Sequence, residues 1–326
     1  MFKRILILIL LVGSLPGAAL AQSDLQFSQY MFNYLYVNPA YAGYKEQVNA
    51  TTFLRAQYLG VKGAPMTASF SIDAPLFSDN MGFGFQVSED KIGIQNNLTG
   101  GIAYSYRIAV GDEGRFCLGF EGGMAQSSAN TAGSNPAQAG DPLIMAGSYK
   151  TLDVTSKAGL FYYTSMFYLG ASASNLYTKS ISSSAAGIAL APLDRHYYLS
   201  GGVLVQVNDA IALKPSFLIK DPQHGITTAD INAFVLLDNR LWLGASYRRG
   251  VISSADILKG SASNSNAAVF LVEYYLNDRF RIGYAYDYPL GGSLTYVSGN
   301  HEISIGYYLP VSRQNFKNSM VTPRYF

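Results

Sequence analysis

Charge is scarce in this sequence. Asp, Glu, Lys and Arg together make up 13% of its 326 residues, against about 25% in an ordinary globular protein. A soluble chain this poor in charge would struggle to cover its surface. Long apolar runs are missing too. Beyond the first 21 residues nothing reaches the roughly 18 apolar residues that a transmembrane helix needs, which argues against a helical membrane protein. Cysteine is confined to Cys117, so no intrachain disulfide can form. Cys117 lies in Phe116–Phe120 on the face opposite the large apolar residues, the place of a small inward-facing core residue. Histidine is limited to His196, His224 and His301, none near another His, a Cys or paired carboxylates at metal-ligand spacing. Asp230 and Asp256 stand isolated. Gly82-Phe83-Gly84 is a strand glycine pattern, because no helix follows to make a phosphate loop. The net charge of +2 leaves no footprint for nucleic acid. No catalytic residue, metal ligand or cofactor site is expected.

What the chain has in quantity is 25 Tyr, 32 Gly and a hydrophobic share of 49%. They follow a period of two. In Phe280–Tyr288, Phe280, Ile282, Tyr284, Tyr286 and Tyr288 share one face; Arg281, Gly283, Ala285 and Asp287 share the other. Ile102–Val110 and His301–Leu309 repeat the pattern. One face is apolar and aromatic; the other is small, polar or charged. About 14 such segments of roughly 9–13 residues run between positions 47 and 309, the length of a tilted strand that crosses a bilayer. The fold class expected is all-β: an outer-membrane β-barrel of about 14 antiparallel strands, apolar face to lipid and polar face to the lumen. Arg107, Arg248, Arg281, Asp287 and Glu302 are candidate lumen-facing charges, read as a paired network wetted by lumen water.

The connections alternate in length. Gly111–Gly114, Thr164-Ser165, Asn208-Asp209, Asp238-Asn239 and Asn277-Asp278 are tight turns. Ser88–Asn97, Ser127–Thr151, Leu176–Arg195, Gly250–Asn266 and Pro289–Gly299 read as long connections. Apart from a short one near Gly60–Ala64, the tight turns would all fall on one rim, as in outer-membrane barrels with short periplasmic turns. Tyrosines near strand ends, such as Tyr197-Tyr198, Tyr162-Tyr163, Tyr274-Tyr275 and Tyr307-Tyr308, suit the two membrane interfaces.

The chain begins with a leader. Lys3 and Arg4 precede an apolar core, Ile5–Val12, and Ala19-Leu20-Ala21 is a small-x-small cleavage site. Residues 1–21 are expected to be a cleavable signal peptide and residues 22–326 one barrel domain. That domain includes an N-terminal aromatic segment at 22–43 and a C-terminal tail at 311–326.

Asp24–Gly43 breaks the alternation. Phe27, Tyr30, Met31 and Tyr34 recur at the spacing of one helix face. Asn38 before Pro39 suits the start of a short helical turn that Gly43 can end with positive φ. A barrel of about 14 strands is wider than its own side chains fill. The stretch is too aromatic for a solvated tail, and Asn33 and Asn38 can bond to a polar wall. A plug-like role within the lumen, entered from the periplasmic side, is therefore expected. Its candidate partner or plug residues are Phe27, Gln29, Tyr30, Met31, Asn33, Asn38, Pro39, Tyr41 and Gly43.

The same stretch resembles the N-terminal signature of the PorP/SprF family of type IX secretion system membrane proteins of the Bacteroidota. The signature runs Asp-Pro-Gln-Phe-Thr-Gln-Tyr-Met, then Asn-Pro-Ala-Tyr-Ala-Gly. Here it reads Asp24-Leu25-Gln26-Phe27-Ser28-Gln29-Tyr30-Met31, then Asn38 to Gly43 unchanged; Leu25 and Ser28 depart from it. The likeness continues in Arg55-Ala56-Gln57-Tyr58, Gly63-Ala64-Pro65, Tyr284–Asp287, His301-Glu302-Ile303 and Pro323–Phe326. The resemblance implies an outer-membrane protein that supports secretion and surface anchoring of adhesins or other cargo, and gliding motility in some species. The implied partners are membrane lipid, cargo with a type-B C-terminal sorting domain, and an OmpA-like peptidoglycan-binding periplasmic protein. A passive or substrate-specific pore is the alternative. An outer-membrane lipase-like enzyme is the third, without a convincing Ser/His/acid set.

Overall fold

The computed structural model describes residues 25–76, 80–131, 147–183, 193–251, 266–290 and 299–309. The leader at 1–21, Asp24 and the tail at 311–326 lie outside the described residues, as do most of the long connections. The strand segments are β1 (Val48–Ala56), β2 (Met66–Pro75), β3 (Met81–Ile92), β4 (Gln95–Val110), β5 (Gly114–Asn130), β6 (Ser148–Tyr163), β7 (Phe167–Ser174) and β8 (Thr178–Ser183). They continue as β9 (His196–Val203), β10 (Val205–Asn208), β11 (Ile211–Pro222), β12 (Thr227–Leu237), β13 (Leu241–Val251), β14 (Ala267–Tyr275), β15 (Phe280–Pro289) and β16 (Asn300–Leu309).

Each segment pairs antiparallel with its neighbour. β8 carries β7 onward along β6, and β10 carries β9 onward along β11, so the sixteen segments form fourteen strands. The circle closes where β1 meets β16, in register from Val48↔Leu309 to Ala56↔His301. No edge is left along the wall, which is what a sheet immersed in lipid requires.

Alternation decides which side is which. Along β15, Phe280, Ile282 and Tyr284 are exposed while Arg281, Ala285 and Asp287 are buried. Along β4, Ile102 is 55% exposed and Ala103 1%. Large exposed apolar side chains recur on every full strand. In water they would form an apolar patch far beyond the few hundred Å² that soluble monomers show; they face lipid. Each Tyr-Tyr pair splits between the two sides, with Tyr163, Tyr198, Tyr275 and Tyr308 turned into the buried interior. So does Cys117, a free thiol buried on the inward face.

The tight turns gather on one end, the turn rim. Asp238 and Asn239 both take positive φ, at 48° and 54°, the backbone that joins twisted strands without splaying them. The Asn208 side chain accepts from the Ala210 amide, and that of Asn277 from Arg279 and Phe280, local bonds that stabilise turns. The opposite end, the loop rim, departs from expectation at Ser88–Asn97. There β3 and β4 stay paired to Ile92↔Gln95, joined by Gly93-Ile94 with Gly93 at φ 59°. Glu89 Oε1 accepts from Asn96 Nδ2 at 2.9 Å and pairs with Lys91 at 3.1 Å. These polar residues read as a loop, but they are cross-strand partners on a water-facing hairpin. Residues 223–226 also make a tight connection on this rim, so turn lengths segregate less cleanly than the sequence implied.

Candidate functional site in the barrel interior

Residues 25–47 precede β1 and are not part of the wall. In place of one helix they form three short 3₁₀ turns, Tyr30–Phe32, Tyr34–Tyr36 and Pro39–Tyr41. The break has a cause at Asn33. Its backbone is extended (φ −151°, ψ 84°) and its side chain accepts from the Leu35 amide, a local bond that competes with helix. Asn38 starts the last turn as expected: its side chain accepts from Ala40 N at 2.9 Å, with Pro39 first in the turn. Gly43 has φ 68°.

The segment lies against inward-facing side chains and most of it is buried: Phe27, Gln29, Tyr30, Met31, Asn33, Asn38, Pro39, Tyr41 and Gly43 all lose their exposure, while Leu25, Gln26, Tyr36, Glu46 and Gln47 stay partly exposed. Its first described residues sit near the loop-rim ends of β1 and β16; its last near the turn rim. Ser28 N and Gln29 N donate to the two oxygens of Glu302, each at 2.8 Å. Asn33 Nδ2 donates to Ser71 Oγ, and Asn232 Nδ2 to Tyr30 Oη at 2.7 Å. The Tyr34 and Tyr168 hydroxyls meet at 2.6 Å. Asn38 Nδ2 donates to Leu160 O at 2.8 Å, Lys157 Nζ to Tyr36 O at 2.8 Å and Ser172 Oγ to Val37 O at 2.6 Å. Ser105 Oγ donates to Ala42 O at 2.7 Å, and Gly43 N to Asp73 Oδ2 at 2.9 Å. Aromatic contacts fill the gaps: Phe27 stacks on Phe53 at 5.0 Å between ring centres, and Phe32 meets Phe234 and Trp242. Burial pushes the Tyr30, Tyr34, Tyr41 and Tyr44 hydroxyls well above their ordinary range, so they stay neutral.

The wall is shaped to this segment. A Cβ at Gly119 would overlap the Ala40 amide, one at Gly82 the Ala42 carbonyl, and one at Gly159 the Asn38 side chain. At these positions the backbone of one element passes where a side chain would stand. Small clefts lie beside the segment, and two of them share Leu25 and Tyr36 in their lining.

Charge is concentrated in two buried groups. Asp230 and Arg248 are opposite one another in the β12–β13 register and form a two-pronged pair, 2.9 Å at each prong. Arg248 Nη1 reaches Asp287 Oδ2 at 3.4 Å; Arg55 binds the same oxygen of Asp287 at 2.5 Å and Glu302 at 3.0 Å. The result is an alternating chain, Asp230–Arg248–Asp287–Arg55–Glu302, across five strands. Arg281 pairs with Glu273 at 2.8 Å and donates to Thr51 Oγ1 and Phe32 O. Arg107 is also buried, with Nη2 3.3 Å from Met81 O. Of the charges singled out in the sequence, Arg248, Asp287 and Glu302 share one network, Arg281 belongs to the other, and Arg107 lies in the same interior outside both. Arg55, Asp73 and Glu273 were not singled out, and Asp230 is not isolated. The missing signal for Asp230 was register: counted back from the Asp238-Asn239 turn, it falls opposite Arg248. Among the described residues no cluster of three or more His, Cys, Asp or Glu could hold a metal ion.

Solved structures share this architecture. They include the toluene transporter TbuX of Ralstonia pickettii (13% identity, 84% of this chain and 92% of that one, TM-score 0.53). The P. putida toluene transporter TodX matches at 14% identity over 90% and 96%, TM-score 0.52. The CymD monoaromatic hydrocarbon channel matches at 12% over 89% and 94%, TM-score 0.52. At such identities the likeness is of fold alone. The comparison with curated proteins returns no match. Family and fold together are those of a secretion-system membrane protein built as a barrel, and they place the chain in the outer membrane. The family model described as type IX secretion system membrane protein PorP/SprF matches residues 19–307, and the chain belongs to that family.

Proposed function

We propose that this barrel supports secretion and surface anchoring of adhesins or other cargo bearing type-B C-terminal sorting domains, and that it does so as a closed platform. The observation that carries the second half is the fit between residues 25–45 and the interior. A segment bonded on all sides, facing wall glycines without room for a Cβ, is a fixed filling of the lumen. Cargo would then be held at a rim and not conducted through the middle. Residues 1–21 serve as the cleaved leader, the turn rim faces the periplasm and an OmpA-like peptidoglycan-binding protein, and the loop rim faces outside. A gliding role would follow if the cargo is a motility adhesin.

The test is secretion of a reporter fused to a type-B sorting domain. Cells lacking this chain should retain the reporter, and the intact chain should restore its display. Display unaffected by the loss would overturn the reading. The pore alternative draws on the two clefts beside Leu25 and Tyr36. In planar bilayers the intact protein should be nearly silent; steady conductance would favour the pore.

A further inference from the structure

We propose that the inner side of the β1–β16 seam is a peptide-binding groove, that residues 27–32 of this chain occupy it, and that its occupancy closes the barrel. Every other junction in the circle joins strands that follow one another in sequence. The β1–β16 junction joins the first strand to the last, so no turn holds it. Its backbone ladder must form across the whole length of the wall, at the entropic cost of closing a very long loop.

Residues 27–29 meet this junction near its loop-rim end and Phe32 and Lys45 meet it further down; between these points the segment crosses to β2, β6, β7 and β12. At the loop-rim end Glu302 of β16 accepts the consecutive amides of Ser28 and Gln29, while Arg55 of β1 donates to Ser28 Oγ at 2.8 Å and to Glu302 at 3.0 Å. Gln29 spans outward from there: its Nε2 donates to Glu302 O and its Oε1 accepts from Ser304 Oγ at 2.8 Å. Phe27 stacks on Phe53 of β1. Further down, Arg281 of β15 holds Phe32 O and Thr51 Oγ1 of β1 with one nitrogen. Nearest the turn rim, Lys45 Nζ donates to Tyr308 Oη of β16 at 2.8 Å. Two successive backbone amides around a carboxylate form an anion cradle. This one reads the path of the peptide and not its side chains. Without the segment Glu302 would keep only Arg55 as partner, a buried carboxylate stripped of two donors at the junction that most needs support.

The inference concerns assembly and does not depend on the secretion reading. Leu54 and Ile303 face each other across the seam and both point outward, away from the groove. A Leu54→Cys/Ile303→Cys pair in a Cys117→Ser background therefore reports closure by disulfide formation after refolding in detergent. The full chain should cross-link efficiently. A chain starting at residue 44 should cross-link at least tenfold less, and a synthetic peptide of residues 25–43 should restore the yield. Full closure without the peptide, or no recovery with it, overturns the proposal. In the full chain Glu302→Gln should lower the yield severalfold; an unchanged yield would remove the amide cradle from the account and with it the groove.

Discussion

At Gly43 three demands meet on one residue. Its φ of 68° suits glycine, its amide donates to Asp73, and an added Cβ would run into Ala74 O and the Arg107 side chain. Gly111 shares the positive φ, at 65°, but faces open space. The pair separates strain from overlap. Gly111→Ala should cost about 1–2 kcal/mol, the penalty of left-handed backbone for an ordinary residue. Gly43→Ala should cost clearly more, seen as a lower temperature of the folded-to-unfolded shift on semi-native gels. Equal losses would mean that the interior gives way around Gly43. The buried charges behave differently. Arg248→Ala would leave Asp230 and part of Asp287 uncompensated, a loss of about 3–5 kcal/mol for a buried pair broken on one side. Asp230→Asn with Arg248→Gln should recover part of it.

At the level of elements, most strands were legible because lipid demands an apolar outward face, and that demand writes a period of two. Phe280–Pro289 and Asn300–Leu309 can be read off directly. The hairpin tip at Glu89–Asn97 could not, because beyond the apolar band a paired strand and a polar loop share one composition. The segment before β1 was legible as something apart and as aromatic, but not as three turns; Asn33 redirects the backbone by a side-chain bond that no periodicity records. The pairings Asp230–Arg248 and Arg55–Glu302 were hidden because register and closure, not spacing, bring them together. The rims give the topology prediction. With Cys117→Ser, a cysteine at Ile94 should react with an impermeant maleimide on intact cells, while one at Asp209 should react only after permeabilisation. The reverse pattern would turn the barrel over.

For the whole molecule, the interior is where a water channel or a hydrophobic core could stand, and the closed-platform proposal takes residues 25–45 as a core. Replacing Tyr34 and Tyr41 together by alanine, which leaves the Glu302 and Asp73 contacts untouched, should raise conductance in planar bilayers while cross-linking at the seam stays intact. No rise would mean that other side chains seal the lumen. Ser28 and Glu302 stand 274 residues apart in sequence and meet in the folded protein. Contacts of that separation form late, and this one cannot form until nearly the whole chain has been delivered. A product lacking the last strand leaves the Ser28 and Gln29 amides without Glu302, beside an open sheet with exposed edges. Only a chain delivered at least as far as Glu302 can cover the Ser28 and Gln29 amides, so a product cut short before that point should be cleaved faster by periplasmic proteases than the intact chain.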